Sequence, residues 1–186
     1  MRAKDFLILQ WEKISTRFSK QEESVLLPFA ISERKSILIC LPEYSDDPNH
    51  SQTLVLKYQA FFLGRPILFC APSSQEPFIK SSCSCLYYNS TSLSFPNKLK
   101  HAIREVLFSA TYQLAIDLNT HFSLPAALIC KKSKAKTRIT FEKPNARWFF
   151  NVLLQPDELG EPFHLAVMKH YLQSITQVIN SEESSL

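Results

Sequence analysis

Acid–base chemistry in this sequence would have to come from a few scattered side chains. Asp117 ends the apolar run Leu114-Ala-Ile-Asp-Leu118, and His121 follows four residues later. An Asp beside a His can orient the imidazole and stabilise its cation, so the pair could serve as a base. An Asp at a strand end can instead accept hydrogen bonds from the backbone of the next loop, with His121 simply exposed. The structural role is favoured, because spacing places no second acid or His beside Asp117. Asp47 lies in the polar loop Pro42–Asn49, where Asp47 or Asn49 is expected to cap the following helix by accepting its free N–H groups.

Metal and anion chemistry have equally sparse footing. Cys83 and Cys85 would share one face of a strand, but a structural zinc site wants a second pair, which is absent. His164 and His170 are six apart, a poor fit to one helical face. No metal is expected. Lys131, Lys132, Lys134, Lys136 and Arg138 put five cations into eight residues. Across a helix C-terminus they suit the negative end of the helix dipole, which is the default reading. The alternative is an anion site for nucleic acid, lipid head groups or a phosphorylated partner. No aromatic platform accompanies the run, so single-stranded nucleic acid is disfavoured.

The 186 residues contain two glycines, Gly64 and Gly160, against eleven prolines. Two isolated glycines cannot build either glycine-rich phosphate cradle, and no cofactor is expected. The net charge of +4 is mild for a dedicated nucleic-acid binder. Five scattered cysteines, with Cys40 and Cys70 inside apolar runs, indicate a reducing compartment. After Arg2 and Lys4 the apolar run Phe6 to Leu9 is too short for a secretory leader. No stretch approaches the ~20 apolar residues of a membrane span. A cytoplasmic location is expected.

Short apolar runs alternate with helical periods along the chain. Strands are expected at 36–41, 66–70, 83–88, 114–118, 138–141 and 148–154, because each is a compact apolar or β-branched segment bounded by turn residues. Helices are expected at 4–20, at 51–63 closed by Gly64, from Pro96 onward, at about 123–131, and after Pro162 through Phe163, Val167, Tyr171, Ile175 and Ile179. In the first of them Leu7, Trp11, Ile14 and Phe18 form a stripe. Packing of that stripe on the protein's own sheet is favoured over a membrane interface or a partner's groove. The pattern specifies an α/β domain: a mostly parallel sheet with helices on both faces. Residues 1–30 are read as an N-terminal amphipathic helix and linker, 31–180 as one Rossmann-like domain, and 181–186 as a polar tail.

Two stretches carry a family resemblance: SILICLPEYSDD at 36–47 and YQLAIDLNTHFSLPAALICKKSKAKTRITFE at 112–142. They resemble the N-terminal half of the heptosyltransferase-like glycosyltransferases, two-domain GT-B enzymes with segments of the type "Y-D-L-x-I-D-L" and "A-K-x-R-I-G-F". Lys35 to Leu38, Ile116 to Pro125 and Ser133 to Lys136 also look like the matching parts of a bacterial family of short proteins that retain only this half. The resemblance implies one half of a GT-B fold. It sets Asp47 on the glycosyltransferases' acidic residue, which acts there as general base toward the acceptor hydroxyl, although Asp46 stands where the family has glycine. The donor nucleotide is held in that family mainly by the other half. The expectation is therefore a non-catalytic binding or accessory protein. The alternative is an acceptor-binding half of a glycosyltransferase-like enzyme, completed by dimerisation or by a partner chain.

Overall fold

The computed structural model describes residues 3–18, 35–44, 49–80, 83–89, 92–94, 98–155, 168 and 172. Six strands form one sheet: β1 (Ser36–Cys40), β2 (Ile67–Pro72), β3 (Cys85–Tyr88), β6 (Tyr112–Asp117), β7 (Thr137–Phe141) and β8 (Val152–Leu154). A separate two-residue hairpin pairs β4 (Leu93–Ser94) with β5 (Lys98–Leu99). The sheet is parallel throughout, in the order β3-β2-β1-β6-β7-β8. The chain builds outward from β1 on one side, returns, and builds outward on the other. With the hairpin set aside, this is the doubly wound order of a Rossmann-like domain.

Strand alternation sorts the core into two layers. Ile37, Ile39 and Leu41 point with Leu114, Ile116 and Ile139 toward α2 (His50–Phe61) and toward the helical positions Met168 and Leu172. Leu38, Cys40 and Ala115 point the other way, toward α1 (Ala3–Phe18), α3 (His101–Phe108) and α4 (Leu124–Lys132). Helices cover both faces, so β1 is buried on both, which is why its sequence is an unbroken apolar run. No described helix is long and apolar enough to cross a membrane.

Four expectations need correction. The stripe Leu7, Trp11 and Ile14 faces outward, each residue about half exposed, while Ile8, Leu9 and Glu12 of α1 turn inward. Glu12 can be buried because the Lys131 ammonium meets its carboxylate at 2.6 Å; Phe18's side chain lies outside the described residues. The helix expected from Pro96 begins at His101, because Lys98 and Leu99 pair back onto Leu93 and Ser94. The third strand starts at Cys85, not Cys83. Of 148–154, only Val152–Leu154 is strand, preceded by a 3₁₀ turn at Ala146–Trp148. There the Asn151 amide stands in for a strand partner: its Oδ1 accepts from the Arg138 N–H at 2.7 Å and its Nδ2 donates to the Lys136 carbonyl at 2.7 Å. Phe163, Val167, Tyr171, Ile175 and Ile179 lie outside the described residues.

Candidate functional site

In a doubly wound sheet ligands bind beyond the strand C-termini at the point where strand order reverses. Here that point lies between β1 and β6, whose ends Cys40 and Asp117 are register partners. The strands carry the chain to this edge, and polar side chains stand at their ends or within three residues beyond. They are Glu43 after β1, Asp117 and Asn119 at the end of β6, and Lys143 after β7.

These side chains are bonded to one another. Asp117 Oδ1 accepts from the Asn119 backbone N–H at 3.1 Å and from Asn119 Nδ2 at 2.6 Å. Its Oδ2 accepts from Lys143 Nζ at 2.7 Å and from Thr140 Oγ1 at 3.3 Å. A carboxylate offers about four lone-pair sites; three donors are committed to this one, and the Thr140 hydroxyl divides its single proton between Oδ2 and the Asp117 carbonyl, 3.2 Å away. Lys143 also donates to the Asn119 carbonyl. Asn119 then spans the reversal point: its Oδ1 accepts from the Glu43 N–H at 2.7 Å and its Nδ2 reaches the Leu41 carbonyl at 3.4 Å. One amide thus ties the ends of β1 and β6 across the place where a ligand would enter.

Around this knot stand other polar groups. Ser123 caps α4, accepting from the Ala126 N–H at 3.3 Å, and donates its hydroxyl to Glu43 Oε1. Gln75 Nε2 donates to the Pro42 carbonyl at 2.6 Å, and its Oε1 accepts from Ser51 Oγ at 2.8 Å. The Tyr88 hydroxyl is buried and has no hydrogen-bond partner among the described residues. Burial chiefly, then the Cys40 thiol and the Glu43 and Asp117 carboxylates, push its phenol up. Below the knot the Cys40 and Cys130 sulfurs are 3.6 Å apart, and burial pushes both thiols up, which keeps them unreactive.

Of the residues singled out by sequence, Asp117 is in the knot and His121 is not. His121 is exposed and shares no hydrogen bond with Asp117. Asp47 lies outside the described residues. Asn49 precedes α2 but makes no side-chain cap to it. The five cations separate. Lys131 donates to Glu12 and to the Trp148 carbonyl, and Arg138 is buried, its guanidinium donating to the Phe149 and Ala135 carbonyls at 2.7 and 3.1 Å. Lys134 and Lys136 are exposed on the turn beyond α4. Cys83 donates to the Lys80 carbonyl at 3.5 Å, and no cluster of three metal-ligating side chains forms among the described residues.

Sequence reading missed Lys143, Asn119, Ser123, Glu43 and Tyr88 as members of one cluster. A signal existed for Lys143: it follows a strand by two residues, as Asn119 does, so adjacent strands would bring the two together. No family profile matches the chain, and no curated protein sequence matches it.

Proposed function

We propose that this protein is a non-catalytic binding or accessory protein with a half-fold resembling that of the GT-B glycosyltransferases. The observation that carries this reading is the engagement of both Asp117 carboxylate oxygens by protein donors. A general base needs an open lone pair within reach of the proton it takes. Both oxygens of this carboxylate already accept from protein donors, the Asn119 amide groups on Oδ1 and the Lys143 ammonium on Oδ2, and Asn119 is bonded across the reversal point. The five cysteines, all free thiols, support a reducing, cytoplasmic setting, and the resemblance to the short bacterial family supports a bacterial source. Titration calorimetry of the monomeric protein with nucleotide sugars tests the proposal. The expected result is millimolar binding at best, about −4 kcal/mol. A micromolar constant would overturn it.

One observation favours the alternative, an acceptor-binding half completed by a second copy or a partner chain. Glu43 is only partly buried just after β1, and among the described residues the one side-chain bond to its carboxylate comes from Ser123. That carboxylate would then receive an acceptor hydroxyl. Micromolar acceptor-sugar binding that Glu43→Gln abolishes would establish this reading over the first.

A further inference from the structure

We infer that the outer face of α1, with the basic turn beside it, is a docking surface for an anionic lipid bilayer. The proposal is independent of the binding reading above. Ser123 starts α4 at the C-terminal edge of the sheet, and Lys132 ends it near the start of β7, so the basic turn lies at the opposite edge from the Asp117 knot.

Helical spacing puts Leu7, Trp11 and Ile14 on one face, and these with Phe6 are 48–53% exposed. The inner face fixes how this stripe is presented. Ile8 and Leu9 enter the core, and the Glu12 carboxylate holds Lys131 at 2.6 Å with Lys132 at 4.0 Å. The end of α4 is therefore clamped against the inner face of α1, and the cations that follow it lie on the turn just beyond that clamp. Lys134 and Lys136 are exposed on the next turn, and Arg147 is exposed on the 3₁₀ turn packed against α1. On α3, beside that turn, Phe108 is half exposed, with the Arg104 guanidinium at 5.7 Å and the Lys134 ammonium at 5.8 Å from its ring centre.

The charge on this side decides the occupant. Glu12 is buried and neutralised by Lys131, and Glu105 is an exposed acid 3.3 Å from His101, a pair charged on both sides only when the imidazole is protonated. Among the described residues the exposed cations Arg104, Lys134, Lys136 and Arg147 outnumber that acid beside the aromatic and aliphatic surface. That composition suits a helix lying in the headgroup layer, its apolar side chains inserted and long basic side chains reaching phosphates. A protein groove would need matching acids at every cation, whereas anionic lipids rearrange to supply them.

Flotation of the full chain with vesicles tests this, using equal parts phosphatidylcholine and phosphatidylglycerol against phosphatidylcholine alone. Binding to the mixed vesicles only is expected, weakening with added salt. Leu7→Ser/Trp11→Ser should abolish flotation while circular dichroism stays native, since both side chains are solvent-facing. Lys134→Gln/Lys136→Gln should lower affinity about fivefold per cation. In a Trp148→Phe background, Trp11 fluorescence should shift to the blue on binding. The proposal fails if the protein floats equally with neutral vesicles, if it floats with neither, or if the apolar double variant binds like the parent. It also fails if the chain forms a dimer that the apolar variant dissociates and shows no flotation, because a second copy would then own this face.

Discussion

The Lys143 ammonium stands 2.7 Å from the Asp117 carboxylate, with 3% and 0% of the two side chains exposed. Such a pair is costly to halve, because the surviving charge keeps its desolvation penalty and loses its counter-charge. Lys143→Met should therefore destabilise the fold by about 3 kcal/mol in urea unfolding. Asp117→Asn/Lys143→Met removes both charges and should recover a large part of that loss. A double variant whose loss equals the sum of the losses of Asp117→Asn and Lys143→Met alone would show that the pair is not energetically coupled.

Glu12 and Lys131 tie α1 to the end of α4 by a charged hydrogen bond of 2.6 Å. Lys131→Met should cost about 2 kcal/mol, in the range for a bond between charged groups. Because Glu12 is on α1, the effect should be regional: amide exchange in residues 5–14 should accelerate well before that of β1 and β6. Uniform acceleration across the chain would contradict this clamp.

Alkaline pH should unfold the protein by a route visible in its thiols and phenols. Burial first of all pushes the Cys85 thiol from 9.0 up to about 11 and the Tyr112 phenol from 10.0 up to about 12. The folded state holds these protons more tightly than the unfolded chain does. Stability is thus fully present below pH 9 and is lost as pH rises through 11 and then 12. Thermal melts from pH 8 to 11 should show a falling Tm, and Cys85→Ala should flatten the first part of the fall. An unchanged slope in that variant would remove Cys85 from the account.

Gly64 follows α2 with φ +80°, and a Cβ there would meet nothing within 4 Å. The penalty of Gly64→Ala is then purely conformational, about 1 kcal/mol for a left-handed residue. Gly64→Asn should cost less, since Asn tolerates this region better. Equal stability of all three proteins by urea titration would exclude strain at this turn.

The strands were legible because burial on both faces writes an unbroken apolar run, as in residues 37–41 and 114–116. The orientation of α1 was not, because the helix is apolar on two sides. Its inner side includes Glu12, an acid whose partner is 119 residues away, and no local period reveals such a partner. The same limit applied at the sheet edge. Asp117 was visible as a polar residue closing a strand, but Lys143 lies 26 residues downstream and becomes its neighbour only once β6 and β7 are paired. Arg138, read as one of five surface cations, is drawn inward by two carbonyls that only the folded turn supplies.

The strand order carries a consequence for synthesis. β1 pairs with β2 on one side and with β6 on the other, and β6 begins at Tyr112. At about 5–20 residues per second, the chain between Cys40 and Tyr112 takes several seconds to emerge from the ribosome. Throughout that interval the β1–β2–β3 half presents a fully apolar strand with one edge unpaired, the geometry that recruits other chains. Nascent chains arrested before Tyr112 should therefore be the species that chaperones bind and that aggregates first, and release of that binding should coincide with the emergence of Asp117.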